Sequence, residues 1–227
     1  MTLAEMVLRV SQRLNEAPAA GGPTFYPVTE ITAALNEADR MFCLLTLALE
    51  KTVLWTAPAA TAITRMLLAF PDWMVPLRLA NEFGAPIRPC RLHDLWALDS
   101  QWPIAAGDPI RYATAGSNLL ALYPQPVAPQ DIFVTYVRSP LGLVLDADTP
   151  ETPTEYHPAY IPYAIYRLRQ VEGGEPFAAS LPLFATFLDA ATEYNVFMRT
   201  RNIGAGYDAV PMELKLYDRS ALIGLSK

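Results

Sequence analysis

Apolar side chains recur every three or four positions in two segments near the start of the chain. In residues 1–14, Leu3, Met6 and Val10 share one face with charged side chains opposite, and the same spacing returns over residues 29–50. This is the period of an amphipathic helix with one buried face. The pattern therefore predicts two helices, and we expect Thr29 to cap the second of them.

Helical spacing reappears near the other end of the chain, over residues 158–171 and again after residue 176. Pro158 suits a first helical turn, where its missing N–H is not needed. Pro162 lies one turn further in and should cost a backbone bond or bend the axis. Pro182 predicts either a kink or a later start for the last helix.

The region between residues 51 and 139 has a different pattern of short aliphatic and β-branched runs separated by proline and glycine. About seven short strands fit this region, and their close spacing favours an antiparallel sandwich or an open barrel. Residues 82–86 and 116–118 are candidate hairpin turns. Residues 93–98 could form a short helix with Trp96 turned inward.

These elements predict an α+β fold in which a bundle of about four helices carries an inserted antiparallel β domain and an extended C-terminal arm. The helices of residues 1–50 and 155–201 must pack together, because none can bury its apolar stripe alone. Residues 51–154 form the inserted sandwich or barrel-like domain with its crossover. Residues 202–227 form the arm, since glycine and proline end the helical period while apolar residues continue.

Composition argues against several functional classes. The net charge is -6 without any basic run, so the chain lacks the basic patch that tight DNA binding needs. Charged residues are only 18% of the chain, which suits a large buried fraction or extensive subunit contacts. The longest apolar run, residues 43–49, is too short to span a bilayer. The two cysteines, Cys43 and Cys90, form no disulfide framework.

Catalytic and metal-binding signatures are weak, and we expect neither an enzyme nor a cofactor. The only histidines, His93 and His157, lie in no recognisable triad pattern. Asp146, Asp148 and Glu151 are the one candidate metal cluster, but they lack the glycine and the terminal glutamate of a calcium loop. Solvated acids of a crossover loop explain them better.

Aromatic residues leave two alternatives open. Exposed, coplanar tryptophans would favour a carbohydrate-binding tail component, for which the candidates are Trp55, Trp73, Trp96 and Trp102. A cell-wall-hydrolysing component would instead need a convergent polar pocket, which two histidines and no catalytic motif do not favour. Four tyrosines in the third helical region are subunit-interface candidates, because tyrosine is favoured at interfaces, although a core role is equally compatible: Tyr156, Tyr160, Tyr163 and Tyr166.

The order of several short motifs resembles one known family. The motifs are Ile31-x-x-x-Leu35-Asn36-Glu37-Ala38, Phe70-Pro71-Asp72-Trp73, the Tyr-Pro-x-Pro strand end of residues 119–126, Val134-x-Tyr136, Asp148-Thr149-Pro150-x-x-Pro153, Glu155-Tyr156-His157 and Tyr163-Ala164-x-Tyr166. In this order they resemble the head-to-tail adaptors of tailed bacteriophages, similar in layout to the tail tubular protein A family. Residues 66–71 lack the tyrosine that is usual at that strand.

The resemblance implies a structural virion protein of the phage neck. It implies a homo-oligomeric ring of typically twelve copies that joins the portal protein to tail nozzle or tail tube proteins. Double-stranded DNA would pass through this ring without specific binding during genome ejection, and the ring would assemble in the host cytoplasm. The resemblance further implies portal binding by the arm, whose apolar anchors are Tyr207, Met212, Leu214, Leu216, Tyr217, Leu222 and Ile223.

Overall fold

The fold is that of a computed structural model, which describes residues 1–15, 25–59, 66–67, 70–115 and 119–202. The helices and strands follow one another as α1 (Leu3–Arg13), α2 (Val28–Thr46), β1 (Glu50–Ala57), β2 (Met66–Leu67), β3 (Trp73–Asn81), β4 (Pro86–Pro89), α3 (Leu92–Leu98), β5 (Arg111–Ala115), β6 (Leu119–Tyr123), β7 (Gln130–Arg138), a 3-10 helix (Thr154–Ala159), α4 (Tyr160–Glu172) and α5 (Gly174–Asn202). The predicted α+β class is confirmed.

The chain divides into two compact units. The helical unit contains Met1–Leu49 and the described residues from Pro140 onward, while the β unit contains Glu50–Ser139. Residues 140–154, which the sequence pattern grouped with the β domain, belong to the helical unit because Leu143 is buried in the helical core. The predicted arm, apart from Asn202 at the end of α5, lies outside the described residues.

Local chemistry sets the ends of the first two helices. Thr2 caps α1, because its hydroxyl accepts a 3.3 Å hydrogen bond from the Glu5 amide while the Glu5 carboxylate accepts one from the Thr2 amide. The predicted cap at Thr29 of α2 is wrong: Pro27 precedes the helix and supplies no side-chain cap. α2 ends at Thr46 rather than at residue 50, because Leu47 adopts a left-handed φ of 56°.

The prolines of the last two helices are placed differently from expectation. α4 begins at Tyr160, so Pro162 is its third residue and its missing N–H costs no intrahelical bond. Pro162 thus lies in the first turn of α4, where proline is tolerated. α5 begins at Gly174 and continues through Pro182, so the last helix has no later start. Gly173 and Gly174 make the turn between the helices with φ values of 68° and 56°, which glycine adopts readily.

The predicted apolar stripes meet in the core of the helical unit. Fully buried residues come from all four long helices and include Met6 and Val10 of α1, Leu35 and Phe42 of α2, Ile165 of α4 and Phe187 of α5. The Phe42 ring lies at the centre of an aromatic cluster, with ring centroids 5.6 to 6.1 Å from those of Tyr156, Tyr160, Phe187 and Tyr194.

The described residues of the β unit form a seven-stranded sheet with the strand order β1-β7-β3-β4-β5-β6-β2. The strand pairs are antiparallel except β4 and β5, which run parallel with Arg88 opposite Arg111. The expected wholly antiparallel sheet is thus corrected to a mixed one. Helix α3 lies in the connection between β4 and β5, which gives the chain the length that a parallel crossover requires.

Two local expectations in the β unit have different outcomes. The hairpin turn of residues 82–86 is confirmed: the Asn81 side chain accepts from the amides of Phe83 and Ala85, and Gly84 has a φ of 80°. Trp96 does not turn inward, because Leu95 takes the buried position of α3 and Trp96 is 51% exposed. The second predicted turn, residues 116–118, lies outside the described residues.

Candidate functional site

Among the described residues, those of functional interest form exposed surfaces and buried polar networks. Within the described residues, no group of three or more His, Cys, Asp or Glu side chains is placed to hold a metal ion. None of the described helices is long and apolar enough to cross a membrane. The predicted portal-binding positions lie outside the described residues: Tyr207, Met212, Leu214, Leu216, Tyr217, Leu222 and Ile223.

The four candidate interface tyrosines separate into two pairs. Tyr160 and Tyr163 are buried in the helical core, where the Tyr160 hydroxyl donates to Oδ1 of Asp39 and the Tyr163 hydroxyl donates to Oε1 of Glu37. Burial and the neighbouring carboxylates raise the pKa of both phenols, so both remain donors at neutral pH. Tyr156 and Tyr166 are half-buried and keep part of their rings at the surface.

A buried polar network joins α2 to the segment that precedes α4. The Tyr160 oxygen shares a hydrogen bond with the Thr152 hydroxyl, and Thr152 O lies 2.8 Å from Nε2 of His157. Burial raises the pKa of Asp39 to about 6, although the hydrogen bond from Tyr160 acts in the opposite direction. Burial lowers the pKa of His157, so the imidazole is neutral at neutral pH.

The His157 side chain connects the start of the chain to the segment before α4, and both of its ring nitrogens are used in these contacts. Its two ring nitrogens contact Thr152 O and the nitrogen of Met1, at 2.8 and 3.0 Å, and its ring stacks on Tyr160. A general base needs a free nitrogen within reach of a reacting proton. His93, the other histidine, is an exposed residue of the short helix α3.

An exposed polar ladder runs along the surface between α2 and α4. The Arg167 guanidinium donates from Nε to Glu37 at 2.9 Å and from Nη1 to Gln170 at 2.7 Å. Gln170 in turn donates to the Tyr166 oxygen at 2.9 Å. The Arg167 and Glu37 side chains remain 45% and 42% exposed, so the ladder presents a preorganised polar surface around the half-buried Tyr166.

The acids of the crossover bind backbone amides of the chain itself. Oδ2 of Asp148 accepts from the Leu145 and Val144 amides at 2.7 and 2.8 Å, and these bonds lower the pKa of its carboxyl. The carbonyls of Asp148 and Asp146 accept from the first amides of α1, at Leu3 and Ala4. These two carbonyls therefore satisfy backbone donors at the N-terminus of α1.

The same crossover contains a group of exposed aliphatic residues that the sequence analysis missed. Leu141, Val144 and Leu145 are 71%, 78% and 66% exposed, while Leu143 between them is buried at 3%. Asn36 of α2 fixes this backbone by accepting from the Leu143 amide at 2.7 Å and donating to the Leu143 carbonyl at 3.0 Å. The run of apolar residues directly before Asp146 was the available sign in the sequence.

The tryptophans form no flat sugar-binding platform. Trp102 is buried, and Trp55 and Trp73 pack against the core of the β unit. Only Trp96 is largely exposed, and its ring is perpendicular to that of Trp102 with an interplanar angle of 88°. Sugar recognition by stacking needs exposed, coplanar rings, so this arrangement does not favour the carbohydrate-binding alternative.

Comparison with known proteins identifies the class of the chain. No curated protein matches it. A family model described as SU10 adaptor protein matches residues 1–206, which includes both the helical unit and the β unit. The family is one of structural adaptors, which agrees with side chains that are committed to packing and to internal hydrogen bonds. The chain therefore belongs to the SU10 adaptor protein family, whose members are bacteriophage head-to-tail adaptors.

Proposed function

We propose that the chain forms a ring in the phage neck that joins the portal protein to the tail tube or nozzle proteins. The observation that carries this proposal is the family match over residues 1–206, because it extends through both units rather than one. An adaptor of this kind has two sets of partners, one on the head side and one on the tail side. Two units with separate cores suit that task, because each can present its own surface.

The portal contact belongs to the arm that follows α5. The apolar anchors after Asn202 recur through an otherwise breaker-rich segment, a pattern that suits docking better than solvation. The anchors are Tyr207, Met212, Leu214, Leu216, Tyr217, Leu222 and Ile223. Aromatic and large aliphatic anchors of this type contribute most of the binding energy at protein interfaces.

The ring contact uses the surface of α4 and its neighbours. Tyr156 and Tyr166 remain partly exposed there, while Tyr160 and Tyr163 hold the helix in place from the core. A ring of identical subunits, typically twelve in this setting, needs heterologous contacts that close on themselves. The polar ladder around Tyr166 supplies the oriented hydrogen-bonding rim that such a contact requires.

Double-stranded DNA passes through the ring without specific binding. The net charge of -6 and the lack of a basic run in the sequence favour repulsion of a phosphate backbone over its capture. DNA that moves through the ring is not retained by an acidic inner surface, because the surface repels its phosphates. Assembly in the host cytoplasm precedes this step, and the mature location is the virion neck.

Co-sedimentation with the portal ring encoded by the same genome tests the proposal. The full chain should bind saturably with one copy per portal subunit, and a chain that lacks residues 202–227 should not bind. The control is a full-length chain with Tyr207, Leu214 and Tyr217 replaced by serine, which keeps the chain length and should also fail to bind. Circular dichroism and thermal unfolding establish that each variant is folded. A folded full-length chain that does not bind its portal would overturn the proposal.

A further inference from the structure

A groove with a volume of about 340 Å³ lies between the start of α4 and helix α5 in the helical unit. Most of its lining comes from two prolines, two alanines and a tyrosine: Tyr156, Pro158, Ala159, Pro162 and Ala190. Within the described residues, Arg13, Glu155, Thr186 and Glu193 complete the lining. The groove therefore combines a mainly apolar surface with a small number of charged groups.

The two carboxylates of the groove are available to a cation. Among the described residues, neither Glu155 nor Glu193 forms an ion pair, and Arg13 pairs with neither of them. Both acids lie near Tyr156, because burial raises the pKa of this phenol and the negative charges of Glu193 and Glu155 raise it further. Such a site favours an ammonium or guanidinium group whose methylene stem lies along the apolar lining.

Helix α5 extends the face of the groove toward the end of the described chain. Thr186, Ala190, Glu193 and Phe197 recur at intervals of four, three and four residues, so they share one side of the helix. The first three line the groove, and the Phe197 side chain is 52% exposed. An exposed aromatic ring thus lies between the groove and Asn202, the last residue of α5.

The segment that follows α5 is long enough to return along this face. Residues 203–227 begin with Gly204 and Gly206, and glycine readily allows a chain to reverse direction after a helix. The distance along α5 from Asn202 back to Thr186 is about 24 Å. About seven extended residues span that distance, so the arm can reach the whole groove of its own chain.

The composition of the arm matches the groove. Lys215 is the first cation after α5, and Leu214 and Leu216 flank it, so one short stretch supplies both a positive charge and apolar contacts. In an extended segment, Glu213 lies on the same side as Lys215, and Arg13 provides the opposite charge for it in the groove. This match of charge and apolar surface favours the arm as the occupant of the groove.

We propose that the arm of the free chain folds back along α5 and places Lys215 in the groove, with apolar side chains of the arm on the face that contains Phe197. The docked arm keeps its portal-binding anchors out of water until a portal ring is present, which limits non-specific association. The portal then competes with the groove for the arm. The inference rests on the proposed function, because it assigns a resting position to the segment proposed to bind the portal.

The alkylation rate of one cysteine in the full-length chain measures whether the groove is covered. Thr186→Cys is made in a Cys90→Ser background, while Cys43 is kept because it is buried. Thr186 is an exposed residue of the groove, so a docked arm should slow the reaction of the new thiol with N-ethylmaleimide. Lys215→Glu should raise the rate about fivefold, because attraction to two carboxylates becomes repulsion.

Two controls match the position and the charge. Thr192 is also an exposed threonine of α5 whose hydroxyl donates to the carbonyl four residues earlier, but it does not line the groove. Alkylation of Thr192→Cys should not respond to Lys215→Glu. Lys227→Glu removes another cation of the arm, at the end of the sequence, and should leave the alkylation of Thr186→Cys slow.

The outcomes decide between a docked arm and its absence. A rate at position 186 that Lys215→Glu leaves unchanged, or that Lys227→Glu raises equally, overturns the proposal. Glu193→Lys combined with Lys215→Glu should restore the slow rate, and a fast rate in this folded double variant also overturns it. Protection that disappears on dilution overturns it as well, because the arm would then come from another copy. Circular dichroism establishes that each variant is folded.

Addition of the portal ring separates this inference from the proposed function. An excess of portal should raise the rate at Thr186→Cys toward that of the Lys215→Glu variant, and co-sedimentation of the same mixture gives the bound fraction. Portal that binds without a change in the rate overturns the docked arm and leaves the adaptor role intact. Portal that does not bind, together with a rate that still rises in Lys215→Glu, overturns the proposed function and supports the groove contact.

Discussion

The hydroxyl of Tyr160 lies 2.9 Å from Oδ1 of Asp39, and both side chains are at most 1% exposed to solvent. The bond joins α4 to α2 in the middle of the helical core, 121 residues apart in sequence. Within the described structure the other carboxylate oxygen, Oδ2, has no hydrogen-bond partner. The buried carboxyl thus depends on Tyr160 for its principal stabilising contact.

Replacement of Tyr160 by phenylalanine should destabilise the helical unit. The change leaves the ring in place but removes the donor to Asp39, and an unsatisfied buried acceptor costs about 1–3 kcal/mol. Urea unfolding followed by far-UV circular dichroism measures the loss. The matched control is Tyr166→Phe. It removes a half-buried hydroxyl that accepts a hydrogen bond from Gln170. A loss at position 160 no larger than that at 166 would contradict the assigned role of the bond.

The buried Asp39 carboxyl should make stability depend on pH in an unusual direction. Its pKa is raised from 3.8 to about 6 in the folded chain, so the folded state holds a proton more tightly than the unfolded state. The stabilising contribution is fully present below pH 3.8 and is lost as the pH rises through about 6. The difference across this window is about 3 kcal/mol. Asp39→Asn should remove it.

The measurement for Asp39 compares wild type with Asp39→Asn by urea unfolding at pH 4.5 and 7.5. The comparison with Asp39→Asn is needed because the pKa values of Asp148 and His157 are lowered in the folded chain. Their contributions to the free energy of unfolding decrease as the pH falls, which opposes the effect of Asp39. Asp108→Asn, at an exposed position of the β unit, controls for the loss of one charge. A difference between wild type and Asp39→Asn that is the same at both pH values would show that Asp39 does not titrate in this window.

The sequence predicted the helical stripes and most strands because local period determines them. Met6, Val10, Leu35 and Phe42 are buried as the spacing requires. The parallel pairing of β4 with β5 depends on contacts between strands, which no local period encodes. Trp96 was misplaced because Leu95, one position earlier, fits the same short helix equally well.

The functional surfaces were harder to predict than the fold. The exposed aliphatic group of Leu141, Val144 and Leu145 is held in place because Asn36 binds the backbone of Leu143, 107 residues later in the chain. A polar helix residue gives no local indication of such a partner. The burial of Tyr160 and Tyr163 likewise follows from their donors to α2 carboxylates, whereas their spacing alone was equally compatible with an interface.

Removal of the Asn36 side chain should loosen the crossover loop of residues 141–145 while the core persists. Asn36→Ala deletes both hydrogen bonds to Leu143, at a cost of about 1–3 kcal/mol. Hydrogen exchange should show faster exchange of the Leu143 amide and of its neighbours in residues 141–145. Asn36→Asp keeps an acceptor for the Leu143 amide and should retain part of the protection. Unchanged exchange in Asn36→Ala would mean that Leu143 burial alone orders the loop.

The two tryptophans of the α3 region should respond unequally to truncation. Trp102 is 2% exposed and packs with Leu95, Ala113 and Ala121, so Trp102→Ala leaves a cavity and should cost about 3–5 kcal/mol. Trp96 is 51% exposed, so Trp96→Ala should cost well under half as much. Chemical denaturation of the full chain measures both losses, with the helical unit followed separately by its far-UV signal.

The exposure of Trp96 also allows a test of the carbohydrate alternative. A sugar that quenches the fluorescence of Trp96 in the folded chain would reinstate that alternative. Equal losses at the two positions would mean that Trp96 is covered in the folded protein, contrary to the structure.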